Sequence, residues 1–267
     1  ESICSCIRTL AQKSGYAEQI DKWCITGNTT MLYLLRGLSP DTLAVAPFMA
    51  EHLFGEEIMF CEKPAYLPPC IHAFIGADIT CALLAGDIHE SNETVLLCDL
   101  GTNGEMVLGN KNRLLTASTA AGPAFEGGNI ICGTAGIPVS ICRVKIQNQR
   151  AVVKTIKAEM PPVGICGSGL VSGMAQLKQK NMIDETGKLR YPYNKQGYPL
   201  WTFETGEKIA LYQQDIREFQ KAKSAIRAGI EILMEEYGCK EADIKQVYLA
   251  GGLGTNLSED DAVITGI

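Results

Sequence analysis

The feature that most constrains this chain is a run of three short apolar segments separated by turns. Thr94 to Leu100 is β-branched and apolar, and it stops at the glycine-bracketed stretch Gly101-Thr102-Asn103-Gly104. Glu105 to Leu108 returns, Asn110-Lys111-Asn112 turns again, and Leu114 to Ala117 makes the third segment. Short apolar runs bounded by Gly and Asn read as strands, so the stretch predicts a β-meander with Gly101 to Gly104 as the turn and Asn103-Gly104 supplying its tight-turn chemistry. The clearest helix spans Asp215 to Tyr237. Ile216, Phe219, Ile226, Ile230, Leu233 and Tyr237 recur there at helical spacing, with Asp215 placed to cap the N-terminus and Gly238 to end it.

Elsewhere the pattern alternates between the two periods. Ile3, Ile7 and Leu10 predict a helix over Ile3 to Ser14. Lys22 to Thr26 reads as a short strand, Met31 to Arg36 as a helix, and Asp78 opens a small-residue helix through Leu84. Ala151 to Ile156 is a strand, and Gly164-Ile165-Cys166-Gly167-Ser168-Gly169 opens a helix running to about Lys180. Asp184 to Phe203 is polar loop or hairpin. Gln246 to Ala250 is expected as a buried strand leading into Gly251-Gly252-Leu253-Gly254. Mixed helix and strand signals of this kind define an α/β chain.

Composition excludes several classes. Of 267 residues, 46% are hydrophobic and 20% charged, which suits a packed domain and not a disordered one. The length fits one large domain or two small ones at about 150 residues each. A net charge of −6 with no basic block argues against nucleic acid or an anionic membrane as partner. Met160 to Leu177, the longest uncharged run, carries prolines and glycines, whereas about 20 mostly apolar residues are needed to cross a bilayer. The eleven cysteines contain no CxxC, no zinc-ribbon spacing and no C-x4-C-x2-C. Cys24, Cys81, Cys98, Cys132 and Cys142 sit among apolar neighbours and read as core thiols of a reduced, cytoplasmic protein. The chain begins with Glu1 and ends at Ile267 as a helix is starting, which reads as a fragment.

Four constellations carry possible chemistry. In Asp99-Leu100-Gly101-Thr102-Asn103-Gly104-Glu105 an acid ends a buried strand and a glycine-bracketed turn follows. Backbone amides with Thr102 and Asn103 can donate to phosphate oxygens, and Asp99 can hold Mg²⁺ through water. The plain alternative is an ordinary Asn-Gly hairpin. Gly251, Gly252 and Gly254, after a strand, leave room for an adenine or a phosphate, or form a simple turn. Gly122 and Glu126, in Ser118-Thr119-Ala120-Ala121-Gly122-Pro123-Ala124-Phe125-Glu126-Gly127-Gly128, make a third group. Glu126 there is either an acceptor for ribose hydroxyls or a helix-start acid complementing the dipole. Asp78, in Gly76-Ala77-Asp78, is either an N-cap or a carboxylate orienting water or metal.

Taken in order, GNTTM (Gly27 to Met31), LAVAPF (Leu43 to Phe48), FIGADI (Phe74 to Ile79), DLGTNGE (Asp99 to Glu105), STAAGPAFEG (Ser118 to Gly127), GICGSGL (Gly164 to Leu170), DIREFQKAKSAIRAGIEIL (Asp215 to Leu233) and LAGGLG (Leu249 to Gly254) resemble one family. It is the C-terminal ATPase domain of the reductive activators of corrinoid proteins, within the acetate and sugar kinase, Hsp70 and actin superfamily. The resemblance implies an actin-like ATPase fold of two ribonuclease-H-like lobes, the first incomplete. Residues 1–92 would be the partial first lobe with a connecting segment, and 93–267 the second lobe. It implies ATP and Mg²⁺ as cofactors. DLGTNGE would be the second phosphate hairpin, with Asp99 on the Mg²⁺ shell and Gly101, Thr102, Asn103 and Gly104 at the phosphates. LAGGLG would be the adenosine motif, Glu126 would face the ribose or base, and Asp78 would orient the attacking water. A first DIGTTT-like hairpin and a [2Fe–2S] ferredoxin domain belong to the family and are not in this sequence, so the chain alone is expected to be inactive. The implied partners are a corrinoid protein, an electron donor acting through the ferredoxin domain, and a second copy in a homodimer. The implied activity couples ATP hydrolysis to reduction of corrinoid cobalt(II) to cobalt(I). A small-molecule phosphotransferase of the same superfamily and a non-catalytic pseudo-ATPase module remain as alternatives.

Overall fold

A computed structural model describes residues 2–157, 160–254 and 256–267. The chain divides into two compact units, residues 1–90 and 91–267.

The first unit begins with helix α1 (Ser2–Ser14), whose apolar residues remain largely exposed. Strand β1 (Trp23–Cys24) is followed by α2 (Thr29–Arg36). The Asn28 side chain caps α2 by accepting the Met31 N–H, and Gly37 ends it at φ 70°. After α3 (Asp41–Ala44), strands β2 (Glu56–Phe60) and β3 (Lys63–Leu67) form an antiparallel hairpin, and β1 adds to β3 in parallel. Helix α4 (Ala77–Ala85) closes the unit. Leu32, Leu67, Cys70 and Ala77 form its small core.

The second unit is built on the meander. Strands β4 (Thr94–Leu100), β5 (Gly104–Asn110) and β6 (Arg113–Thr119) pair antiparallel in sequence order. The turn falls one residue short of the expected Gly101 to Gly104. Leu100 pairs with Gly104, so the loop holds three residues, Gly101 to Asn103, and Gly104 is the first residue of β5. Glycine is needed there for packing, because a Cβ would lie 2.9 Å from Thr119 Oγ1 and 3.2 Å from Ile226. Downstream, β7 (Ser140–Gln147) pairs antiparallel with β8 (Arg150–Thr155) and parallel with β9 (Gly164–Ile165). Helix α5 (Gly167–Gln179) packs on β7.

The polar stretch 184–203 carries the short helix α6 (Tyr193–Gln196) and β10 (Tyr198–Thr202), which pairs with β11 (Lys208–Leu211). Helix α7 (Gln213–Tyr237) lies against β5 and β6. It buries Ile216, Phe219, Ala222, Ile226 and Leu233, each large apolar side chain contributing about 1.5–3 kcal/mol. The N-cap is Tyr212, not Asp215. Asp215 stands three residues into the helix, where Oδ2 accepts the Tyr212 N–H and Oδ1 the Ile131 N–H, both at 2.8 Å. Gly238 ends the helix at φ 83°.

Strand β12 (Ile244–Ala250) pairs parallel with β4 at the sheet edge, in the order β12-β4-β5-β6. It is not the buried strand its apolar sequence predicts: Val247, Tyr248 and Leu249 are exposed, at 58%, 37% and 37%. Only one neighbouring strand meets it. The chain then passes into α8 (Gly251–Gly254) and ends with α9 (Glu259–Thr265). The core-thiol reading holds for Cys98 and Cys142 but fails for Cys24, which is exposed on the two-residue strand β1. Cys81 and Cys132 are half-buried, and all eleven cysteines are free. Burial pushes the Cys98 thiol up to about 12, with the adjacent Asp99 acting in the same direction.

Candidate functional site

The ends of four elements of the second unit meet around a cleft of about 510 Å³, within the range of small-molecule sites. The C-terminal end of β4 supplies Asp99 and Leu100, with Gly101 just after it. The single-turn 3-10 helix Pro123–Glu126 supplies Phe125 and Glu126. The start of α5 supplies Gly167 and Ser168, and α8 supplies Gly252 and Leu253. Ala135, Gly136 and Ile156 form an apolar wall.

Close backbone approaches assemble this cleft. A Cβ on Gly167 would sit 1.8 Å from the Phe125 carbonyl oxygen, so the first turn of α5 presses on the backbone that carries Glu126. Gly251 turns the chain from β12 into α8 at φ 81°, and a Cβ there would lie 2.3 Å from Asp99 Oδ1. The glycine therefore leaves space for the Asp99 carboxylate at the floor of the cleft. On the hairpin, the Thr102 hydroxyl donates to Glu126 Oε2, and the Gly122 N–H donates to the Thr102 carbonyl at 2.9 Å.

The electrostatics are acidic on one side and amide-rich on the other. Asp99 and Glu126 both line the cleft, and none of the described lining residues is Lys or Arg. The N-cap of α5 is Cys166, which provides no side-chain cap, so the first amides of that 13-residue helix lack a capping partner at the positive end of its dipole. The Cys166 thiol donates to the Ile141 carbonyl at 3.3 Å and lies 3.4 Å from Ser168 Oγ. An anion entering this cleft would meet amide donors, and a divalent cation would meet the carboxylates of Asp99 and Glu126.

Of the residues singled out in the sequence, Asp99, Gly101, Glu126 and Gly252 line the cleft, and Thr102 and Gly122 join it through hydrogen bonds. Asn103, the last loop residue, offers its carbonyl to the Gly101 N–H at 3.1 Å. Gly104 and Gly254 are not among the lining residues, and both are closely packed. A Cβ on Gly254 would lie 2.7 Å from the Leu249 carbonyl oxygen. Glu126 closes the single-turn helix Pro123–Glu126 and is the acid of that turn. Asp78 lies in the first unit at the second position of α4; the N-cap is Gly76, and Asp78 Oδ1 accepts the Ile79 N–H at 2.9 Å. Sequence reasoning missed the contribution of α5. The run Gly167-Ser168-Gly169 was readable as a helix start, but its approach to Phe125 depends on a contact distant in sequence.

Among the described residues no three His, Cys, Asp or Glu side chains cluster as a metal site, and no helix is long and apolar enough to cross a membrane. Two carboxylates without a closed cage suit a hard cation such as Mg²⁺, which keeps waters and is completed by substrate phosphates.

Comparison with known proteins agrees with this architecture. The chain is 31% identical over 268 residues to the corrinoid activation enzyme RamQ of Eubacterium limosum, covering 90% of this chain and 45% of that protein. It is 32% identical over 237 residues to the [Co(II) methylated amine-specific corrinoid protein] reductase of Methanosarcina barkeri, covering 80% and 42%. A solved reductive activator for corrinoid, iron–sulfur protein superposes with a TM-score of 0.86 at 32% identity, covering 96% of this chain and 44% of that one. The chain thus spans a little under half the length of these relatives. Residues 1–91 match the RACo middle region and residues 93–267 the C-terminal domain of RACo, the ASKHA domain, so the chain belongs to the RACo family and carries its actin-like ATPase fold.

Proposed function

We propose that this chain is the nucleotide-driven part of an activator that returns corrinoid proteins from cobalt(II) to cobalt(I), with ATP and Mg²⁺ bound in the Asp99–Glu126 cleft. The observation that carries the reading is the composition of that cleft: two carboxylates, uncapped helix amides, a hydroxyl-bearing hairpin and no basic side chain. A nucleoside triphosphate brings several negative charges, and without lysine or arginine it needs a cation to meet Asp99 and Glu126. When bound, Mg²⁺ would neutralise phosphate charge. Asp99 would hold it through water, with Glu126 beside it. Gly101, Thr102 and Asn103 would present donors to the phosphates, and Gly252 would leave room for the nucleoside, against the apolar wall of Ile156 and Ala135. Asp78 would be the acid that orients water, a role that rests on the family resemblance of its segment. Residues 1–92 would contribute part of the first lobe and its connection.

The names of the relatives support the coupling to corrinoid reduction. Reduction of corrinoid cobalt is uphill for ordinary donors, and each ~59 mV of one-electron deficit is worth about 1.4 kcal/mol. Closing and opening a nucleotide cleft can bias the complex in which the electron passes. In the whole protein the electron would enter through a [2Fe–2S] domain, in the cytoplasm, with the activator as a homodimer. The test is ATP turnover by the full-length activator with and without a cobalt(II) corrinoid protein, followed by the cobalt(I) absorbance. Faster turnover together with cobalt(I) formation is expected. A phosphorylated small molecule as product would replace this reading with a phosphotransferase, and unchanged turnover without cobalt(I) would overturn it.

A further inference from the structure

Glu126 is held firmly by its backbone and lightly by its side chain. The first turn of α5 presses on the Phe125 carbonyl through Gly167, and Gly127, at φ 84°, runs so close to the Thr134 backbone that a Cβ would collide with it. The Glu126 side chain is exposed, and among the described residues its hydrogen-bond partner is the Thr102 hydroxyl, which donates to Oε2. Oε1 lies over Gly101, where a Cβ would be 3.6 Å from it. Gly101 follows β4 directly, so this oxygen sits by the strand end that carries Asp99, the other acid of the cleft. Thr102 in fact holds the short helix Pro123–Glu126 at both ends. Its carbonyl accepts the N–H of Gly122, the N-cap, at 2.9 Å, and its hydroxyl reaches Glu126, the last residue. Yet Thr102 is not among the described residues that line the cleft, whereas Glu126 is. The sequence motif places this hydroxyl at the phosphates; the fold engages it with a carboxylate.

We propose, resting on the reading of this cleft as a Mg-ATP site, that Thr102 is a positioning residue for Glu126. Its hydroxyl holds Oε2 and leaves Oε1 oriented for the cation, while the backbone amides of the hairpin serve the phosphates. A glutamate side chain turns about three bonds and loses that freedom when a cation fixes it. A hydroxyl that fixes it beforehand removes part of this cost from binding, as hydrogen-bonded partners behind metal ligands do in general. The bond is charge-assisted, with a neutral donor on a carboxylate, so it depends on the hydroxyl and not on the shape of the side chain. Valine keeps the shape of threonine without the donor, and serine keeps the donor. Loss of the hydroxyl should therefore weaken the hold on the cation and leave the hold on the nucleotide itself.

The experiment measures calorimetric binding of the non-hydrolysable analogue adenylyl imidodiphosphate to the full-length activator, with Mg²⁺ titrated in or removed by EDTA. Thr102→Val should raise the Mg²⁺ concentration for half-saturation about five- to tenfold, at the low end for the partner of a metal ligand because the bond is exposed. Thr102→Ser should stay within about twofold of the unaltered protein, and affinity in EDTA should be the same in all three. In a Glu126→Ala background, Thr102→Val should have no further effect, since the group it positions is gone. Thr102 is exposed, so each variant should keep the circular dichroism and thermal unfolding of the unaltered protein. An equal loss in EDTA would return the hydroxyl to the phosphates and overturn the assignment. So would an unchanged Mg²⁺ requirement in Thr102→Val, a loss in Thr102→Ser as large as in Thr102→Val, or additive losses in the double variant. No binding by the unaltered protein under either condition would overturn the nucleotide reading itself, and the assignment with it.

Discussion

Adjacent glycines after β12 should respond to the same substitution in opposite ways. In Gly251→Ala the new Cβ must exist at φ 81° and 2.3 Å from Asp99 Oδ1. Left-handed backbone costs about 1–2 kcal/mol for an L residue, and relieving the overlap requires the Asp99 carboxylate to rotate. The second unit spans residues 91–267, and for domains of that size each kcal/mol shifts Tm by about 2–4 °C. Gly251→Ala should therefore lower Tm by about 2–8 °C and, by moving Asp99, weaken Mg-ATP binding. In Gly252→Ala nothing lies within 4 Å of the new Cβ and the backbone is not left-handed. Stability should be unchanged or slightly raised, since the residue is helical, while nucleotide affinity falls because the methyl enters the cleft. Thermal unfolding followed by circular dichroism, with calorimetric titration of Mg-ATP, separates the two. Equal Tm for both variants, or a Tm loss confined to Gly252→Ala, would refute the packing argument. Unchanged affinity in Gly252→Ala would remove α8 from the binding surface.

Further outcomes follow from other contacts. Gly167→Ala places a Cβ 1.8 Å from the Phe125 carbonyl, which backbone cannot accommodate without moving α5; a loss above about 3 kcal/mol in urea unfolding is expected, and a loss below 1 kcal/mol would contradict the packing. Glu126→Ala removes an exposed bond to Thr102, so stability should change by under about 0.5 kcal/mol, whereas Mg-ATP affinity should drop by roughly tenfold or more if the carboxylate serves the cation. Asp215→Ala strips the acceptor from two amides and should cost about 2–4 kcal/mol. Burial raises the Asp215 carboxyl, so the pH-dependent part of its effect favours folding fully below the ordinary 3.8 and is lost as pH rises through the raised value, while the two amide bonds persist; Asp215→Asn should flatten that slope in pH-dependent denaturation. Glu56 has the opposite sign. Its hydrogen bond from Arg36 lowers it, so about 0.2–1 kcal/mol is present above pH 4.5 and is lost on acidification through the lowered value, and Glu56→Gln should abolish that acid sensitivity in the first unit.

How far the sequence reaches depends on the range of the interaction. The helix expected over Ile3–Ser14 and the strand Thr94–Leu100 fall within a residue or so of the observed elements, because periodicity and terminators are local. Apolar residues at helical spacing and a terminal glycine also located α7 and its end at Gly238. The turn was legible to within one residue, but Gly104 belongs to β5 and its reason lies in Thr119 and Ile226, on another strand and helix. Asp215 does cap the helix, as the capping-box acid at its third position, while its second partner, the Ile131 amide, is far away in sequence and was not legible. Strand β12 looked buried because its residues are apolar, and its exposure depends on its position at the sheet edge.

The site divides in the same way. The ordered motifs were enough to identify the family and the actin-like fold, and two of them, DLGTNGE and LAGGLG, combine a strand end with a glycine turn. That Glu126 meets the Thr102 hydroxyl, that Gly251 frames Asp99, and that the first amides of α5 open into the same cleft were decided by tertiary structure alone. Local sequence sets which backbone shapes are cheap, while convergence of distant residues on one point depends on how sheets and helices pack, and no spacing rule within one segment encodes that.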